Sequence, residues 1–102
     1  MTGTSITSAE VDARRRKVLF RAWHRGMREM DLLLGSYVDA RIVGWSDDQL
    51  TVFEALMDVP DQTLFGWVVG RMPIDPEHDT AIFADFLAFH AGTEIAKGLY
   101  DL

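Results

Sequence analysis

The chain has 102 residues, 48% of them apolar and 25% charged, which predicts one domain with one modest core rather than a disordered segment. It carries no cysteine, so disulfide frameworks, thiolate metal sites and cysteine nucleophiles are excluded. Net charge is −6, yet seven of the ten basic residues lie between Arg14 and Arg28, in a segment without acids, and thirteen acids against three bases follow from Asp31 onward.

The molecule is polarised, a basic first helix on an acidic body, and its overall acidity argues against nucleic acid as a partner. The polarity favours a basic first helix that meets one protein surface, with an ordinary solvated helix face as the plain alternative. No stretch approaches the roughly 20 apolar residues of a bilayer-spanning helix; the longest, residues 64–70, has seven. The Arg14-Arg15-Arg16-Lys17 run is not followed by a clean apolar block and cleavage site, and Glu10 and Asp12 suit a mitochondrial presequence poorly. The expected compartment is the cytoplasm.

Helical spacing dominates, and neither repeats nor low-complexity tracts occur. Residues 1–8 are small and polar and read as a mobile lead-in. Ser8 can cap a first helix that turns Val11, Val18, Leu19 and Ala22 inward and fails near Gly26. A second helix begins within residues 27–29. In it Met30, Leu33, Leu34, Tyr37 and Val38 form an i, i+3, i+4, i+7, i+8 stripe, and Gly44 closes it. Ser46 and Gln49 predict a capping box, with Asp47 and Asp48 in the first turn of a third helix. That helix carries Leu50, Phe53, Leu56 and Met57 inward and stops before Pro60.

Asp61 is expected to cap a short fourth helix with Leu64, Phe65, Val68 and Val69 inward and Gly70 at its end. Asp75-Pro76 reads as the start of a fifth, marked by Ile82, Phe83, Phe86, Leu87 and His90 and ending near Gly92. The reading is an all-α, compact five-helix bundle in a single domain. The lead-in spans 1–8, the helical domain 9–92 and a C-terminal tail 93–102.

No chemistry-bearing motif stands by itself. His24, His78 and His90 form no i, i+4 pair, so no metal site is expected. Asp47 and Asp48 are ordinary first-turn carboxylates. There is no glycine-rich nucleotide cradle and no spaced Ser/His/Asp set, so no catalytic residue is expected. The run His24-Arg25-Gly26-Met27-Arg28-Glu29-Met30-Asp31 is different. It gathers two guanidinium forks, a glycine that admits a close backbone, an adaptable thioether and two acids around a helix break. Chemistry alone leaves two readings open, an interface or a helix corner whose arginines pair with Glu29 and Asp31.

Arg25-Gly26-Met27-Arg28-Glu29 resembles the Arg-Gly-Met-x-Glu signature of the assembly factors that promote flavinylation of succinate dehydrogenase, the SdhE family. The flanks Leu19-Phe20-Arg21-Ala22-Trp23 and Asp31-Leu32-Leu33-Leu34-Gly35 are similar to that family's surroundings. So are Ser46-Asp47-Asp48 with Leu50, Phe53-Glu54-Ala55-Leu56-Met57, and Asp61-Gln62-Thr63-Leu64-Phe65-Gly66-Trp67. The likeness covers about residues 13–90. Met30 stands where leucine is usual, a volume-conserving exchange.

The resemblance implies an accessory protein rather than an enzyme. It would bind the immature flavoprotein subunit of succinate dehydrogenase so that FAD becomes linked to a histidine of that subunit. The FAD belongs to the partner and is not stably bound by this chain, which is expected to be a monomer when free; the fumarate reductase flavoprotein is a further candidate client. Carried over, Arg25, Gly26, Met27, Arg28 and Glu29 form the partner-binding surface, with Asp31 and Trp23 beside them. Glu29 either touches the partner or orients Arg25. The readings from other classes are a basic-helix nucleic-acid-binding module built on Arg14 to Lys17, and an enzyme gripping a small acid through Arg25 and Arg28, which lacks a positioned base.

Overall fold

The computed structural model describes residues 12–91, and short-range signals in the sequence account for most of its helix ends. The described residues contain five α-helices and no strand: α1 Ala13–Trp23, α2 Arg28–Arg41, α3 Asp47–Met57, α4 Asp61–Val68 and α5 Ala81–His90. Ser8, Val11, Gly92, the lead-in and the tail lie outside the described residues.

Asp12 opens α1, its carboxylate accepting from the Arg15 N–H at 2.8 Å. The helix ends at Trp23 with His24 as its cap, two residues short of Gly26. α2 begins at Arg28 as expected, and its stripe of Met30, Leu33, Leu34, Tyr37 and Val38 is wholly buried. Its end corrects the sequence reading. The α-helix stops at Arg41 and tightens into a single 3₁₀ turn, Ile42–Gly44, because buried Ile42 is drawn into the core while Val43 and Gly44 face solvent. The capping box of α3 forms in both directions. Ser46 Oγ accepts from the Gln49 N–H at 3.2 Å, and Gln49 Oε1 accepts from the Ser46 N–H at 2.9 Å.

Two further starts differ from expectation. Pro60, not Asp61, occupies the cap position of α4, and Asp61 is the first helical residue. Its carboxylate is drawn to an arginine instead, as described below. Asp75-Pro76 opens only a 3₁₀ turn, Pro76–His78, which holds His78; α5 starts later, where Thr80 Oγ1 accepts from the Phe83 N–H at 3.2 Å. Pro76 fixes φ for any tight turn, and Asp75 makes no side-chain cap, so nothing there holds a full α-helix. α4 ends in a Schellman closure: Gly70 at φ +76, its N–H on the Trp67 carbonyl at 3.3 Å, and the Arg71 N–H on the Gly66 carbonyl at 2.9 Å.

α2 is the central element, packed by α1 on one side and α5 on another, with α3 touching both. Tyr37, Phe53, Phe83 and Phe86 are fully buried among the leucines, while Trp67 rather than Phe65 or Val69 fills the core side of α4. Tyr37 meets Phe86 edge-on, with ring centres 5.3 Å apart, and tilts against Trp45 at 5.8 Å. Its hydroxyl donates to Asp85 Oδ2 at 2.8 Å, and burial pushes it well above the ordinary phenol value. His90, at the end of α5, is buried and donates from Nε2 to the Leu33 carbonyl at 2.7 Å; desolvation holds it below the usual imidazole value. Among the described residues no helix is long and apolar enough to cross a membrane.

Candidate functional site

The break between α1 and α2 is one sharp corner, and glycine is what makes it possible. Gly26 sits at φ +93, a conformation that costs an L side chain dearly, although a Cβ built there meets nothing within 4 Å. Arg28 beside it is exposed, and neither Arg28 nor Glu29 pairs with any described residue. Met27 is partly buried and rests on the core. The corner thus presents the glycine backbone and the Arg28 guanidinium to the outside, with the partly buried Glu29 beside them, both charges unpaired among the described residues.

Arg25 faces the other way. Its side chain is only 10% exposed. Nε donates to Asp61 Oδ1 at 2.7 Å, Nη1 to the Met57 carbonyl at 2.6 Å and Nη2 to the Val59 carbonyl at 2.8 Å. Those carbonyls belong to the last turn of α3 and the link beyond it, where helices leave acceptors without partners and a cation is favoured. The corner is held a second time from within α2, by Asp31 Oδ1 accepting from the Arg25 N–H at 2.5 Å. Of the two options for Glu29, orienting Arg25 finds no contact: Asp61 and two carbonyls do that work, and the signal was out of reach because Asp61 lies 36 residues along the chain.

Trp23 buttresses the corner from beneath. Its indole lies so close over Gly35 that a Cβ there would come within 2.2 Å of Trp23 Cδ2, and its buried Nε1 finds no partner among the described residues. A residue the sequence reading passed over is Phe20, 61% exposed and stacked on His24 with ring centres 4.0 Å apart. His24 Nδ1 lies 2.7 Å from the Phe20 carbonyl. The available signal was its position four residues before His24 and off the Val18–Leu19–Ala22 face.

The basic first helix is less of an outward face than its composition suggests. Arg14 grips Glu54 through Nη2 and Nε at 2.6 and 3.0 Å, holding that carboxyl below its usual range. Arg15 reaches the Trp45 carbonyl at 2.7 Å, and Arg21 reaches Asp58 at 2.9 Å. With Arg25, four of the seven arginines and lysines of the segment bind the chain's own α3 and its flanks. Among the described residues no three His, Asp or Glu side chains gather as a metal site. Arg25 has three of its donors committed to its own chain.

The sequence matches the family described as the flavinator of succinate dehydrogenase across residues 16–90. The chain belongs to that family. It is 35% identical to the FAD assembly factor SdhE of Acetobacter pasteurianus, over 78% of this chain and 72% of that protein. It is 32% identical to the mitochondrial succinate dehydrogenase assembly factor 2 of Dictyostelium discoideum, over 72% of this chain and 52% of that one. The corresponding protein of Debaryomyces hansenii is 27% identical over 72% of this chain and 51% of its own length. The chain therefore spans most of the bacterial relative and about half of the mitochondrial ones. No solved structure matches it. Every residue of the Arg25–Asp31 corner lies inside the matched span, and so does Asp61.

Proposed function

We propose that the corner docks on the immature flavoprotein subunit of succinate dehydrogenase and holds it while FAD becomes covalently attached to one of its histidines. Family membership makes the chain an assembly factor for flavinylation rather than a catalyst. The observation that carries the docking reading is Gly26, a positive-φ glycine with open space where a Cβ would stand, followed by Arg28 and Glu29, which are unpaired among the described residues. Such a feature lets a partner's backbone approach closely, with one cation and one anion to fix its register.

In this reading the nucleophile and the FAD both belong to the partner. The chain's contribution is preorganisation, keeping the reacting histidine and the flavin in near-attack geometry. It acts in the cytoplasm as a monomer when free, and the fumarate reductase flavoprotein is a second client. The nucleic-acid reading loses two of the four cations it was built on, since Arg14 and Arg15 are turned to their own chain.

The test is covalent flavin fluorescence of the flavoprotein bands on a denaturing gel, from cells with and without the gene. Loss of fluorescence, restored by the wild type but not by Gly26→Arg, is expected. Unchanged fluorescence without the gene would remove the reading, and rescue by Gly26→Arg would remove the corner from it.

A further inference from the structure

The arginine that the docking motif puts first does not face outward, and its engagement can be traced atom by atom. Its side chain is only 10% exposed, paired with an Asp61 side chain that is itself 22% exposed. Its fork meets three acceptors: Asp61 Oδ1 on the first residue of α4, the Met57 carbonyl at the end of α3, and the Val59 carbonyl between them. These acceptors span the whole α3–α4 link. That link is therefore fixed to the residue directly before Gly26, while Asp31 fixes the same residue's backbone from α2. Gly26 itself has no side chain with which to hold its unusual conformation, and the place a Cβ would take has no atom within 4 Å. The corner is set by what grips its neighbour.

We infer that Asp61 is a positioning residue for docking: through Arg25 it holds the Gly26–Arg28 corner in its binding shape, and the Arg25 guanidinium does not touch the partner. This deepens the docking reading and rests on it. The physical case is the fork itself. A planar guanidinium satisfying one carboxylate and two carbonyls fixes direction as well as distance, which an ammonium cannot do. A guanidinium released to bind a partner would leave Asp61 unpaired in a place where solvent compensates only partly, would take the Arg25 donor from the Val59 carbonyl, and would leave the Met57 carbonyl with only the longer bond from Arg21 Nη2 at 3.3 Å. Arg28, exposed and unengaged, can offer charge to the partner without any such loss.

The experiment uses the full chain and the flavoprotein subunit carrying noncovalent FAD. Titration gives Kd for wild type, Asp61→Asn, Arg25→Lys and the double variant, below each variant's thermal midpoint. A strut predicts that each single change weakens binding roughly tenfold, the weight of one lost charge-assisted hydrogen bond, and that the double variant is no weaker than the worse single one. It also predicts that the Gly26 amide resonance moves in both single variants. A direct grip predicts otherwise: Arg25→Lys loses binding while Asp61→Asn binds as wild type, and that result overturns the inference.

A second measurement needs no variant. With arginine side chains labelled, the Arg25 Nε–H resonance is expected to stay in place on adding the flavoprotein while that of Arg28 shifts; a shift confined to Arg25 overturns the inference. Absence of any binding by the wild type would sink the docking reading and this inference together. Binding by the wild type, lost in Gly26→Arg but kept in Asp61→Asn, would sink this inference alone.

Discussion

Two arginine–carboxylate pairs sit at opposite parts of α2 and do different things. At the corner, Arg25 and Asp61 are 10% and 22% exposed, and the same guanidinium also caps the carbonyls of Met57 and Val59. At the other end of the helix, Arg41 and Asp85 are 39% and 44% exposed. There Asp85 is shared with the Tyr37 hydroxyl, while the Arg41 guanidinium lies over the Phe89 ring at 5.0 Å. The atomic distances are nearly equal, 2.7 against 2.9 Å, yet burial and the extra acceptors separate the pairs. A buried fork tied to backbone sets where helices end relative to one another. An exposed fork on an aromatic ring decorates packing that Tyr37 and Phe86 already determine.

The sharpest way to break that contrast is to remove both cations. Arg25→Ala should cost about 3 kcal/mol of unfolding free energy, since it strands the mostly buried Asp61 carboxylate and removes the Arg25 donor from the Val59 carbonyl. Chemical denaturation measures it, and a loss equal to that of Arg41→Ala would end the distinction. Gly35→Ala tests the corner from beneath. Its new methyl would collide with the Trp23 ring, and overpacking of this kind costs about 1–3 kcal/mol. A shift in Trp fluorescence should accompany the change. Arg41→Ala should cost less than about 1 kcal/mol, the range of exposed pairs and exposed cation–π contacts.

The smallest effect is titration, and its sign differs in window rather than direction for the groups at the α2–α5 seam. Burial lowers the His90 pKa below its usual 6.5, so the unfolded chain takes up a proton first. Stability present above pH 6.5 therefore declines as pH falls toward the folded value. Asp85 follows at lower pH. The hydrogen bonds from Arg41 and Tyr37 hold it below its usual 3.8, and its contribution, present above that value, disappears as pH falls through the lowered one. Urea unfolding across pH 3 to 8 should show the upper step vanish in His90→Gln and the lower step shrink in Arg41→Ala.

What could be read from the sequence was what short spacing controls. The capping box of Ser46 and Gln49, the α2 stripe and the break at Gly26 all depend on residues within a few positions of one another, and all are present in the fold. Asp75-Pro76 misled because a cap-like acid and a proline serve a 3₁₀ turn as well as an α-helix; the decisive hydroxyl was at Thr80. The basic segment misled for a different reason. Its carboxylate and carbonyl partners lie 30 to 40 residues downstream, so a run that composition shows as an unbalanced face is, for four of its members, an internal seam. Arg25, Gly26 and Arg28 were singled out together, but sequence could not say which of them point outward, because that depends on Asp61 and the end of α3.

Gly26 and Gly35 refuse side chains for unrelated reasons. Gly35 has the ordinary backbone of a right-handed helix and no volume, because an indole fills the place of its missing methyl. Gly26 has open space where a Cβ would stand and the wrong handedness. At Gly35 the obstacle is size and could be met by trimming the neighbour. At Gly26 the obstacle is chirality, which no compensating substitution elsewhere can alter, so among the encoded amino acids the achiral one is the natural occupant of this corner.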